Sequence, residues 1–195
     1  ERYKHPEREV SIGLVGKYVE LHDAYKSIKE ALEHAGAESG TKVHIKWVHS
    51  EKLNAKNVGK QLDGLSGILV APGFGHRGIE GKIEAIRHAR ENGVPFLGIC
   101  LGMQLACIEA ARNAAGVAGA SSTEFGSCAE PVVNVMDVWT GRDGSERLRG
   151  KELGGTMRLG AYEASVVPGT VLHSVYGGAE TISERHRHRY EVDMA

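Results

Sequence analysis

Long apolar runs are missing from this sequence. None approaches the roughly 18 residues that a membrane-spanning helix needs, and the opening residues Glu1-Arg2-Tyr3-Lys4-His5-Pro6 are polar rather than signal-like. Cysteine is scarce: Cys100, Cys107 and Cys128 are an odd set with no CxxC spacing. That excludes a simple disulfide framework and fits a reducing compartment, where one thiol can be kept for chemistry. Excess charge is absent too. Lys and Arg number 24 against 25 Asp and Glu, a formal net charge of −1, whereas nucleic-acid binders carry a large positive surplus. Aromatics are only 6% of the residues, few for a surface that stacks bases. No GxxxxGK[ST] occurs, so there is no P-loop. A cytoplasmic protein is expected, with neither membrane nor nucleic acid as a partner.

What is present is ordinary globular material. The 195 residues, 41% hydrophobic and 25% charged, suit one α/β domain. Residues 1–9 are polar and contain Pro6, so they read as a linker, with the domain over 10–195. Val10 to Val15 is a short apolar run that suits a buried strand. Asp23 then offers an N-cap, and Ile28, Ala31, Leu32 and Ala35 follow at helical spacing. Val43 to Val48 alternates as a strand, and Asn54 to Leu62 suits a short helix. Gly67 to Ala71 predicts a second buried strand, Ile79 to Asn92 a helix, Phe96 to Ile99 a strand and Leu101 to Ala114 a helix. Strand and helix in alternation predict a mostly parallel sheet covered on both faces. Later, Val132 to Val138 reads as a strand and Gly141 to Gly144 as a turn. Met157 to Val167 and Thr181 to Val192 read as extended, with a short helix at 172–176 between them.

The sharpest local feature is Gly98-Ile99-Cys100-Leu101-Gly102. A nucleophile with glycine two residues to either side, between a strand and a helix, has the spacing of a nucleophile elbow. The helix dipole and its free N–H groups should favour thiolate at Cys100, and the Leu101 N–H should point toward a developing oxyanion. A small cysteine packed in a tight turn is the bland alternative. The loop Pro72-Gly73-Phe74-Gly75-His76-Arg77-Gly78 follows a strand and precedes a helix, which puts it beside the elbow at the carboxyl edge of the sheet. In Glu184-Arg185-His186-Arg187-His188-Arg189-Tyr190-Glu191-Val192, an extended backbone would put Arg185, Arg187 and Arg189 on one face and both histidines on the other. That run reads as a carboxylate-binding arginine, a nucleic-acid patch or a solvated edge strand. Cys107 reads as core. A catalytic cysteine also needs a base, and His76, His173, His186 and His188 are the candidates, none in a pattern that singles it out.

Gly98 to Gln104 (GICLGMQ) resembles the nucleophile motif of the class I glutamine amidotransferases. Gly16 to Ser27 (GKYVELHDAYKS), Gly154 to Gly160 (GGTMRLG) and Glu184 to Val192 (ERHRHRYEV) resemble the CTP synthase branch of that family, and the likeness runs from about Val10 to Val192. The resemblance implies a flavodoxin-like sheet, incomplete at its C-terminal edge. It implies a glutaminase in pyrimidine biosynthesis that attacks L-glutamine with Cys100 through a glutamyl thioester. The ammonia would go to a synthetase domain of the same polypeptide, which uses ATP, Mg and UTP. By motif match, Gly73, Phe74, Leu101, Gly102, Met103 and Gln104 would line the glutamine site. Glu124 would take the substrate ammonium and Arg189 its α-carboxylate, while Arg77 would sense the activator GTP. No metal or cofactor is implied in this domain, and the whole enzyme would be a homo-oligomer.

Two departures from the family stand out. Its loop usually reads Pro-Gly-Gly-Phe-Gly, whereas here Ala71-Pro72-Gly73-Phe74-Gly75 stands. Proline has no N–H, so the second oxyanion donor should be Gly73 or Phe74. The family's His-Pro-Glu motif, which supplies the base and its orienting carboxylate, is expected beyond Ala195, with no other His-x-Glu to stand in for it. The chain by itself is therefore expected to be a weak or inactive glutaminase. Other readings are the glutaminase part of a GMP synthase-like enzyme and a non-catalytic flavodoxin-like interaction module.

Overall fold

The computed structural model describes residues 5–135, 138–140, 146–148 and 157–193. The expected turn at 141–144 and the first three residues of the 154–160 motif lie outside them. The chain divides into two compact units, Glu1–Val133 with Val192–Ala195, and Asn134–Glu191.

The first unit is built on a parallel sheet of β1 (Arg8–Gly16), β2 (Thr41–His49), β3 (Gly67–Val70) and β4 (Phe96–Gly98), in the order β2-β1-β3-β4. Helices α1 (Lys26–Glu38), α2 (Val58–Leu62), α3 (Ile79–Asn92) and α4 (Leu101–Asn113) connect or follow these strands. The two-residue period of the strands splits the core. Ile12 and Leu14, Ile45 and Trp47, and Leu69 and Ala71 share one face, packed with Ile28 and Leu32 of α1. Val15, Ile68 and Val70 are buried among the alternate residues, and Ile83, Ile86, Leu105 and Ile108 are the buried stripes of α3 and α4. A mostly parallel sheet with helices on both faces is the arrangement expected from the alternation.

The differences are local. β1 begins at Arg8, paired with Thr41, two residues inside the stretch read as a linker. Asp23 does not cap α1. A 3-10 turn over His22–Tyr25 intervenes and α1 starts at Lys26, because Tyr25 is drawn into the core, where its hydroxyl accepts the Lys17 and Tyr18 N–H groups at 3.0 and 3.3 Å. The expected helix at 54–62 forms only from Val58. Before it, the Asn57 side chain accepts the Asn54 N–H at 2.9 Å and fixes a turn. Beyond α4, β5 (Ala120–Ser122) pairs in parallel with β6 (Glu130–Val135), and the Asp193 N–H returns to the Val132 carbonyl at 2.9 Å.

In the second unit β7 (Val138–Thr140) pairs antiparallel with β8 (Glu146–Leu148). β9 (Arg158–Ser165) and β10 (Thr181–His188) form another antiparallel pair around α5 (Val171–Val175), and β11 (Tyr190–Val192) follows. Among the described residues no helix is long and apolar enough to cross a membrane, and no group of three or more His, Cys, Asp or Glu could hold a metal ion.

Candidate active site

Parallel strands end together, so Lys17 after β1, Ala71 to Gly75 after β3 and Cys100 after β4 gather at the carboxyl edge of the sheet. Cys100 has φ 54° and ψ −109°, and it is the one non-glycine residue with positive φ among the described residues. Such strain costs on the order of 1–3 kcal/mol and persists only where the surroundings enforce it. Here the flanking glycines enforce it. A Cβ on Gly98 would lie 2.6 Å from the Gly102 carbonyl carbon, and one on Gly102 would lie 2.3 Å from the Val70 carbonyl oxygen. The strand and α4 therefore touch backbone to backbone, and the residue between them is pushed out at the bend.

The N–H groups of Leu101 and Gly73 both donate toward the Cys100 sulfur. Burial nevertheless pushes the thiol up, and Glu124 adds to this. The two N–H groups and the Lys82 ammonium pull it down without reversing the shift. The Leu101 N–H at the helix terminus favours thiolate as expected, but with the sulfur half buried desolvation is the larger influence and the net shift is upward.

The loop after β3 is held along its length. Gly73 adopts φ 154°, a conformation that favours glycine, and the Cβ it lacks would meet nothing closer than 3.7 Å, so backbone freedom rather than space requires it. The Gly75 N–H donates to Glu124 Oε1 at 2.7 Å, and Lys17 Nζ donates to the Phe74 carbonyl, so one peptide unit is gripped at both ends. Lys82 Nζ donates to the Ala71 carbonyl at 2.8 Å. Glu124 stands on a 3-10 turn after β5, its own N–H bound to Ser122 Oγ at 3.1 Å.

The structure thus brings together Cys100, Leu101, Gly73 and Glu124. Gly102 and Gln104 are buried on α4, whereas Met103 and Phe74 are exposed. Arg77 is exposed, paired with Glu51 at 3.0 Å and lying 5.5 Å from the centre of the Tyr18 ring. Arg189 belongs to the second unit, at a bend between β10 and β11. The expected alternation holds through His188, with Arg185 and Arg187 exposed and both histidines half buried, and the bend then half buries Arg189. Its Nε is buried with no hydrogen-bond partner among the described residues.

In the first unit no described histidine acts on the sulfur. Two His-x-Glu triplets do occur, His5-Pro6-Glu7 and His49-Ser50-Glu51, which corrects the expectation that none is present. The first precedes β1 and so lies at the amino edge of the sheet, opposite the elbow. The second follows β2, which β1 and β3 separate from β4. Neither can serve Cys100. Lys17 and Lys82 are the site residues that sequence reasoning missed. The only signal was Lys82's place four residues after Gly78, which reads equally well as a solvated helix position.

The family model described as Glutamine amidotransferase class-I matches residues 20–195. The CTP synthase of Novosphingobium aromaticivorans is 56% identical over 198 residues, which cover 100% of this chain and 36% of that protein. The CTP synthase of Flavobacterium johnsoniae is 55% identical over 194 residues, covering 99% of this chain and 34% of that protein. This chain therefore spans about a third of the length of the curated relatives it matches. Among solved structures, the Trypanosoma brucei CTPS glutaminase domain with bound acivicin superposes with a TM-score of 0.81 at 39% identity, over 94% of this chain and 68% of that one. The elbow, the parallel sheet beneath it and these likenesses agree: the chain belongs to the class-I glutamine amidotransferase family, and within it is similar to the glutaminase domains of CTP synthases.

Proposed function

We propose that this chain, only weakly by itself because no described histidine serves Cys100 as a base, hydrolyses the side-chain amide of L-glutamine and supplies the ammonia with which a synthetase domain, using ATP and Mg, aminates UTP to CTP. The Cys100 sulfur attacks the amide carbon, and the carbonyl electron pair moves onto oxygen. The oxyanion accepts from the N–H groups of Leu101 and Gly73. The C–N bond then breaks, and the nitrogen leaves as ammonia with the proton the thiol gave up. The glutamyl thioester that remains is cleaved by water to glutamate and free thiol.

A zwitterionic substrate presents one cation and one anion. The Glu124 carboxylate is assigned to the ammonium and Arg189 to the α-carboxylate, where a guanidinium binds bidentately. Arg77, exposed beside Tyr18, is the proposed contact for GTP.

The observation that carries this reading is the strained Cys100 with two N–H groups aimed at its sulfur. Its test is incubation with 6-diazo-5-oxo-norleucine, with the adduct mapped by mass. Labelling of Cys100 ahead of Cys107 and Cys128, slowed by L-glutamine, is expected. Labelling that glutamine does not slow would sink it. Transfer to UTP is read separately: with a CTP-forming synthetase domain, ATP and Mg, amide-15N glutamine should place 15N on the CTP amino group.

A further inference from the structure

Lys82 is 1% exposed and sits in α3 with its Nζ 2.8 Å from the Ala71 carbonyl. Buried ammonium groups are normally matched by a carboxylate, because an unmatched charge is costly to hide. Among the described residues no carboxylate acts on Lys82, and four that lie on or beside α3 are engaged elsewhere. Glu51 holds Arg77 at 3.0 Å, Glu80 holds Arg112 at 3.1 Å, Glu109 holds Arg90 at 2.8 Å, and Glu124 takes the Gly75 N–H at 2.7 Å. The charged and titratable groups that act on Lys82 are Lys17, which opposes its charge, and Cys100, which supports it. Its Nζ also lies 3.9 Å from where a Gly73 Cβ would stand, and so close beneath the residue whose N–H faces the sulfur.

We infer that Lys82 is a positioning residue whose missing counter-ion is the anion formed at Cys100, first the thiolate and then the oxyanion of the attacked amide. Its ammonium anchors the Ala71 carbonyl, which fixes the start of the loop that carries the Gly73 N–H. It also sets a full positive charge behind the sulfur. Lys17 does the same for the loop's far end through the Phe74 carbonyl. Burial, and secondarily Lys17, bring the Lys82 ammonium down to about 8. It therefore still carries its proton at neutral pH and is sensitive to a negative charge nearby.

The inference rests on Cys100 being the nucleophile, yet its test needs no glutamine chemistry. Iodoacetate caps Cys100 with a permanent carboxylate and iodoacetamide with a neutral amide of nearly the same shape. The Lys82 side-chain Cε resonance is then titrated in each capped protein, after mass mapping confirms the adduct. The carboxylate cap should raise the Lys82 midpoint by about one pH unit over the amide cap, the size of shift an opposite charge causes at close range. Equal midpoints overturn the inference, whatever glutamine protection shows. In a second measurement at pH 7, Lys82→Met should slow alkylation of Cys100 by about ten-fold, the equivalent of one unit. An unchanged rate in a folded variant also overturns it. The capped wild-type protein decides alone if the variant does not fold.

Discussion

Glu109 and Lys82 are equally hidden, each 1% exposed on adjacent helices, and are treated in opposite ways. Glu109 on α4 takes three hydrogen bonds from the Arg90 guanidinium on α3, at 2.8 to 3.1 Å, and one from Asn113 at 3.2 Å. Lys82 receives a single carbonyl and a lysine for a neighbour. Glu109 has its partners complete inside the helix interface, whereas Lys82 is left short of them, as the inference above requires of a charge kept for the anion at Cys100. The first belongs to the clamp between α3 and α4 and the second to the floor of the elbow.

The sharpest way to break this contrast is to remove each charge. Glu109→Ala leaves Arg90 and Asn113 without their acceptor inside a helix interface. It should lower stability by about 3 kcal/mol, the range for breaking one side of a buried pair, as read by urea unfolding. A loss no larger than that of an exposed carboxylate would show that the clamp is not structural.

Lys82→Met should act in the reverse direction. The folded state holds the ammonium at about 8 against 10.5 for the free side chain. Below pH 8 both states carry the proton and the full cost of burying the charge is present. Between about 8 and 10.5 the folded state releases its proton first, and the cost disappears as pH rises. Set against the lost hydrogen bond to Ala71, Lys82→Met should be more stable than wild type by about 2 kcal/mol at pH 7, a gain that vanishes near pH 10. Thermal unfolding of both proteins across that range reads it. A pH-independent difference would mean the lysine is buried without strain.

The same contrast explains what could be read in the sequence. The elbow was legible because its cause is local: two glycines at fixed spacing about Cys100 report a close backbone approach that any bulkier residue would block. The strand period likewise revealed the sheet, since Leu14 and Val15 must face opposite sides. Lys82 was not legible. It lies among Glu80, Glu84 and Arg87, and its neighbours read as a solvated face. Next to it, a Cβ on Gly81 would stand 1.8 Å from the Ser50 carbonyl, so α3 is pressed onto the turn that follows β2. That contact spans thirty-odd residues of chain and leaves no periodic trace. Asp23 failed for a similar reason, because the burial of Tyr25 overrode the capping preference.

Strain at the elbow gives a smaller effect. Cys100→Gly removes the side chain from φ 54°, and it should stabilise the protein by about 1 kcal/mol while abolishing labelling by 6-diazo-5-oxo-norleucine. Stability is then gained where chemistry is lost, as expected of a residue held in place for function. A destabilised variant would mean that packing of the sulfur, half buried as it is, outweighs the backbone.

The least effect is expected at Glu80. It meets Arg112 across the same pair of helices at 3.1 and 3.2 Å, and on a map of ion pairs it resembles the Arg90–Glu109 clamp. Its side chain, however, is 75% exposed, so water replaces the lost contact. Arg112 also keeps its Nε on the Ala120 carbonyl at 2.6 Å, which holds the end of α4 to β5 without help from Glu80. Glu80→Ala should therefore change stability by no more than about 0.5 kcal/mol, the range of exposed pairs, and less still at high salt. If urea unfolding showed a loss near that of Glu109→Ala, burial would not be what separates the two pairs, and the reading of Lys82 as a charge kept short of partners would lose its reference.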